Sequence, residues 1–138
     1  LGRLILDVAH NAEAAAVLAD NLRADGYAGR VVLALGMLAD KPVSAVCAAL
    51  APLVRAAFFG SLPPPRGLDS ERLRALAFEG GMVGVAAGSI EDAFEQAWRV
   101  AGPDDIVLVC GSFLSVAAIA KLKSSPQSKL GIAHERKI

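Results

Sequence analysis

The chain has 138 residues, 54% of them hydrophobic, and its 14 Lys+Arg balance 14 Asp+Glu. That length suits one domain with a core of its own, and the balanced charge gives no basis for binding nucleic acid or a membrane surface. No apolar run is long enough to span a bilayer, and no signal-peptide pattern is present.

In chain order, the first apolar run, Leu4-Ile5-Leu6, stops at Asp7 and predicts a buried strand over Arg3–Asp7. Val8, Ala9, His10 and Asn11 follow. A helix over Asn11–Asp25 then carries Ala15, Leu18, Ala19 and Leu22 on one face, with Gly26 as its stop. The next strand is predicted at Arg30–Leu35, followed by a loop, Gly36–Pro42, and a helix over Val43–Pro52 that Pro42 opens at N1. A strand at Val54–Gly60 leads into a stiff, Pro-rich loop, Gly60–Asp69. The helix Ser70–Phe78 starts at Asp69-Ser70 and ends at Gly80-Gly81.

A fourth strand is predicted at Met82–Ala86. Ser89 caps the helix Ile90–Val100, with Glu91 and Asp92 in the first turn, where carboxylates complement the helix dipole. Ala93, Ala97 and Val100 share one face of it, and Phe94 and Trp98 read as core aromatics. The fifth strand, Ile106–Cys110, passes through Gly111-Ser112 into a helix over Phe113–Leu122. From there the pattern fades into a tail, residues 124–138, either frayed or with a short element at Leu130–Ala133. Cys47 and Cys110 lie in apolar stretches and are expected to be buried free thiols of a reducing compartment. The chain opens without Met, on the threshold of a strand, and is expected to be a piece of a longer protein.

Apolar runs that are nearly continuous, alternating strictly with helices, predict an α/β fold. It is a Rossmann-like, doubly wound, mostly parallel sheet of about five or six strands with helices on both faces, occupying residues 1–123. Such sheets bind ligands beyond the carboxyl ends of their strands. That rule selects the loops Asp7–Asn11, Gly36–Pro42 and Gly111–Phe113.

Each loop admits two readings. Asp7, His10 and Asn11 are either a binding motif at a helix mouth or a capped strand-to-helix turn. Lys41 either meets an anion or is solvated beside Asp40. Ser112 either caps a helix or also offers its hydroxyl to a carboxylate. No G-x-x-x-x-G-K-[ST] phosphate loop exists, and no G-x-G-x-x-G follows the first strand. The cysteines lack metal-ligand spacing. A triad of Ser112, His10 and Asp7 lacks the G-x-S-x-G elbow that would expose its nucleophile.

Taken together, four segments resemble the motifs of folylpolyglutamate and dihydrofolate synthases. Leu6-Asp7-Val8-Ala9-His10-Asn11 is similar to their D-G-A-H-N-P motif, and Gly36-Met37-Leu38-Ala39-Asp40-Lys41 to their G-x-L-x-D-K loop. Pro65-Arg66-Gly67 resembles a P-R-G loop, and Asp105–Phe113 a D-x-V-L-V-C-G-S-F segment. The four cover residues 4 to about 116 in the family's order. Val8, Ala12 and Pro42 depart from it, standing where Gly, Pro and Asp are usual.

The resemblance implies a Mur-ligase-type C-terminal domain, cytoplasmic and monomeric. It implies an ATP-dependent ligase that joins glutamate to a folate or dihydropteroate through an acyl phosphate. Its partner is an ATP-binding central domain that holds Mg2+ and the phosphate loop. Carried over by motif, His10, Lys41 and Ser112 surround glutamate, while Asp7 meets the ATP ribose. Asn11 caps the first helix close to the nucleotide. None of these residues is implied to be catalytic, and this domain alone is expected to be inactive. Two alternatives stay open: a Mur peptidoglycan ligase domain, and a non-catalytic module that binds a nucleotide or an amino acid.

Overall fold

The structure, a computed structural model, describes residues 3–124 and 134–136. Strand β1 (Arg3–Asp7) leads to α1 (Ala12–Ala24), then β2 (Val31–Leu35), α2 (Val43–Leu50) and a 3-10 turn at Ala51–Leu53. There follow β3 (Val54–Ser61), α3 (Ser70–Glu79), β4 (Val85–Ser89), α4 (Ile90–Val100), β5 (Ile106–Cys110) and α5 (Phe113–Lys123). A last strand, β6 (His134–Arg136), lies beside β1.

The six strands form one sheet in the order β4-β3-β2-β5-β1-β6, and all of these pairings are parallel. The chain leaves β1, skips a position to β2, and moves outward through β3 to β4. It then returns to place β5 in the gap between β2 and β1. That reversal is what puts helices on both faces. Alternate strand residues feed two separate cores. Ile5, Leu33, Leu35, Leu108 and Cys110 pack with α1, α2 and α3 on one face. Leu4, Leu6, Val32, Ala34, Val107 and Val109 pack with α4 and α5 on the other. A strand that is buried on both faces has no polar side, so the apolar runs are continuous.

The predicted architecture stands, with local differences. The fourth strand runs Val85–Ser89 rather than Met82–Ala86. Met82 is apolar because it fills the core below α3, where its N–H donates to the Ala77 carbonyl at 3.0 Å. The second helix gives way at Leu50 to the 3-10 turn that contains Pro52. Pro42 sits at the N-cap of that helix rather than at N1. On α4, Val100 is 46% exposed and leaves the predicted buried face, whereas Ala93, Phe94 and Ala97 are buried. Phe94 packs on Trp98 with ring centroids 5.9 Å apart. Leu130–Ala133 lies outside the described residues. Among the described residues, no helix is long and apolar enough to cross a membrane.

Candidate functional site

The three central strands, β2, β5 and β1, end side by side, and the loops that leave them are tied to one another. The Gly111 N–H donates to the Ala9 carbonyl at 3.0 Å, joining the loop after β5 to the loop after β1. The Gly36 N–H donates to the Cys110 carbonyl at 3.3 Å, and the Ser115 hydroxyl donates to the Gly36 carbonyl at 2.9 Å. Gly111 makes this closeness possible. Its φ of +106° is left-handed, and a Cβ there would lie 2.3 Å from the Gly36 oxygen.

A fourth loop joins them. Leu38 and Gly67 form an antiparallel bridge. The Ala39 N–H donates to the Arg66 carbonyl at 2.7 Å, and the Leu68 N–H to the Met37 carbonyl at 3.0 Å. The Pro-rich loop after β3 is thereby laid along the loop after β2, with Arg66 on the same side as Lys41.

These loops enclose a cleft of about 260 Å³. His10, Lys41, Arg66 and Ser112 line it, together with Leu38, Gly111, Phe113 and Leu114. The cleft thus brings together the three residues expected around glutamate. Arg66 joins them without having been singled out from the sequence. The signal was there, in the P-R-G segment, but its meeting with the Gly36–Lys41 loop is a non-local pairing that no periodicity reveals.

Each side chain is positioned by its own loop. The His10 Nδ1–H donates to the Val8 carbonyl at 3.0 Å, since a carbonyl can only accept. That leaves Nε2 as the ring nitrogen for a ligand. Ser112 Oγ accepts from the Leu114 N–H at 3.1 Å and caps α5. The cap uses the oxygen as acceptor, so the hydroxyl proton can still be donated into the cleft. For Ser112, then, the capping and binding readings are compatible.

Lys41 is half-buried, and the Arg66 side chain is exposed at the rim. Among the described residues neither forms an ion pair, and no carboxylate lines the cleft. Two cations lining one cleft, with no acid among its described walls, make a pocket for an anion.

Asp7 and Asn11 are placed differently. Asp7 is fully buried at the end of β1, and its Oδ1 accepts from the Ala9 N–H at 2.9 Å. It builds the turn that presents His10. Asn11 caps α1, accepting from the Ala14 N–H at 2.8 Å. It faces a shallow depression shared with Glu13, Ala14 and Val17 rather than the cleft. Beneath the site, Cys110 is buried, and burial pushes its thiol well above the ordinary range, with the Asp7 charge adding to the effect. Cys47 is likewise pushed up to about 12 by burial. Both are free thiols, protonated and inert as nucleophiles at neutral pH. Among the described residues, no group of three or more His, Cys, Asp or Glu could hold a metal ion.

A family model described as the Mur ligase, glutamate ligase domain matches residues 2–113. The chain belongs to this family. As a Mur ligase glutamate ligase domain it is similar to known folate ligases. It is 36% identical over 126 residues to the dihydrofolate synthase/folylpolyglutamate synthase of Escherichia coli (strain K12), covering 91% of this chain and 29% of that protein. To the Haemophilus influenzae protein of the same name it is 31% identical over 121 residues, covering 85% and 28%.

Among solved structures, E. coli FolC in complex with DHPP and ADP superposes with a TM-score of 0.79 at 34% identity, over 88% of this chain and 28% of that one. The bifunctional folylpolyglutamate synthase/dihydrofolate synthase of Yersinia pestis, complexed with AMPPNP and Mn, gives 0.76 at 35% identity, over 86% and 28%. The glutamate ligase domain therefore spans under a third of the length of these relatives.

Proposed function

We propose that this chain is the glutamate-binding, C-terminal domain of an ATP-dependent ligase that joins glutamate to a folate or dihydropteroate. The observation that carries the reading is the cleft: His10, Lys41 and Ser112, from three different loops, line one cavity with no acid among the described residues of its walls. The folate ligases found among its relatives favour this substrate over a nucleotide-linked peptidoglycan precursor.

In the proposed reaction, the folate carboxylate takes the γ-phosphoryl group of ATP to form an acyl phosphate, with ADP leaving, and the neutral glutamate amine then forms the C–N bond as phosphate and a proton leave. This domain's residues supply the second partner. Lys41 pairs with a glutamate carboxylate, and Ser112 donates its hydroxyl to it. The same positive field repels the substrate ammonium, so the amine points out of the cleft toward the incoming acyl group. Nearby cations also favour the neutral amine, which is the nucleophilic form. His10 Nε2, the ring nitrogen not used by Val8, is assigned a directed hydrogen bond to that amine. Closure of a second domain over the cleft excludes water, which would otherwise hydrolyse the acyl phosphate.

ATP and Mg2+ are assigned mainly to that second, central domain, because this chain has no phosphate loop and no metal-holding group among its described residues. The chain by itself is expected to form no amide. The ribose is assigned to Asp7, with Asn11 near it. For Asp7 this requires that its carboxylate be uncovered when the domains meet. As a small domain with no partner copy needed for its cleft, it is expected to act as a monomer in the cytoplasm.

Titration of the protein with L-glutamate, followed by amide NMR, tests the central claim. Shifts are expected at His10, Lys41 and Ser112. Lys41→Ala is expected to weaken binding by roughly ten- to a hundredfold, the usual worth of a charged hydrogen bond. No shift at millimolar glutamate would overturn the reading.

A further inference from the structure

We propose that Arg66 is a specificity-determining residue that makes the cleft a two-point receptor for dicarboxylic amino acids. Lys41 takes one carboxylate and Arg66 the other. The inference rests on the glutamate reading above and goes beyond it by giving each cation its own substrate group.

Three observations carry it. Arg66 lines the same cleft as Lys41, yet the two come from different loops. Their backbones are held in register by the Ala39 N–H to Arg66 carbonyl bond at 2.7 Å and by the Leu38–Gly67 bridge. Gly67 is required for that register, because a Cβ there would lie 2.3 Å from the Leu62 oxygen. Neither cation is engaged in an ion pair with a described residue.

Elsewhere on the surface Arg23, Arg55, Arg74 and Arg99 are each matched with an acid. A cation pair held together by backbone bonds, with no acid among the described residues of the cleft wall, repels itself until an anion arrives. One carboxylate neutralises only half of that charge, and a dicarboxylate neutralises both. The fork of an arginine suits bidentate carboxylate recognition, and the point charge of a lysine suits a single contact, so the two ends of the substrate are read differently.

The two monoamides of glutamate test the assignment. Glutamine lacks the side-chain charge, and isoglutamine lacks the α-carboxylate charge. Dissociation constants for glutamate and both amides are measured by NMR titration on the wild-type protein and on Arg66→Ala, Arg66→Lys and Lys41→Ala. The wild type is expected to prefer glutamate to either amide. Arg66→Ala should weaken glutamate and one amide by about tenfold or more, and leave the other unchanged. Lys41→Ala should show the opposite pattern. Arg66→Lys should recover part of the loss.

If both alanine variants weaken the same amide, the two cations share one carboxylate and the proposal falls. It falls equally if Arg66→Ala changes nothing while glutamate still binds. Those two results leave the glutamate reading standing. Failure of the wild type to bind glutamate at all removes both. Amide spectra of each variant, compared with wild type before ligand is added, confirm that the fold is intact.

Discussion

The hydroxyl of Ser115, fully buried on α5, donates to the carbonyl of Gly36 at the end of β2, 79 positions earlier in the chain. One hydrogen bond thus holds the loop that carries Lys41 against the helix that Ser112 caps. Ser115→Ala removes a donor from a buried carbonyl, a change that costs about 1–3 kcal/mol. For a domain of this size the expected loss in Tm is on the order of 3–10 °C. Glutamate binding by the variant, measured below its Tm, should weaken as well, because the Lys41 loop loses an anchor. Unchanged Tm would show that the bond contributes nothing net.

Gly111→Ala is expected to be more damaging. The substitution meets a left-handed φ of +106° and a contact of 2.3 Å with the Gly36 oxygen. Backbone strain and collision together should cost on the order of 3 kcal/mol or more. Gly26→Ala is a control for the φ effect alone, since its φ is +86° and a Cβ there meets nothing within 4 Å. The Gly111 variant should melt lower than the Gly26 variant. Equal melting would show that the loops can separate without penalty.

Asp7→Asn separates turn building from nucleotide binding. Asn keeps a carbonyl oxygen that can accept from the Ala9 N–H and loses the charge. The turn bond from the Ala9 N–H is therefore expected to persist, which the Ala9 amide shift checks. In the full-length ligase of the proposed function, kcat/KM for ATP should fall, and the loss should shrink when 2′,3′-dideoxy-ATP replaces ATP in both enzymes. An equal loss with both nucleotides would show that Asp7 does not read the ribose.

Asp105 gives the fold a defined acid sensitivity. Its Oδ2 accepts from the Gly102 N–H at 2.7 Å and from Arg55 at 2.6 Å. The backbone bond above all, with help from Arg55, holds its carboxyl below the usual value against the opposing effect of burial. A group whose pKa is lowered on folding stabilises the protein above its unfolded value, near 3.9, and loses that contribution as pH falls through the folded value. Asp105→Asn should therefore lower Tm at neutral pH, and the gap to wild type should close as pH drops below about 4. A gap that stays constant down to acid pH would show that the charge of Asp105 is not what stabilises.

Two of the three central strands, β1 and β5, were legible in the sequence to the residue, and β2 to within one. β1 and β5 are apolar on both faces and end at a polar or glycine residue, so nothing blurs their limits. β4 was displaced by three residues because it is an edge strand. Its own residues are half exposed, while the bulkier apolar Met82 before it belongs to a turn. The site was half legible. His10, Lys41 and Ser112 each follow a strand's carboxyl end, where the α/β rule places ligands. Arg66 follows no strand end directly, and it reaches the cleft only through hydrogen bonds between two loops distant in sequence. Asp7 was legible as the polar end of a buried strand, whereas its complete burial depends on tertiary packing.

The stitching of four loops to one another has a consequence for how a ligand is received. Loops that move singly must be frozen at the moment of binding, and the ordering is charged against affinity. Here the freezing was completed during folding, by Gly111 against Ala9, Ser115 against Gly36 and Ala39 against Arg66. The cleft is preorganised. The conformational entropy lost when the proposed glutamate binds is then chiefly that of the ligand and of the rim side chains, and little of it falls on the loops.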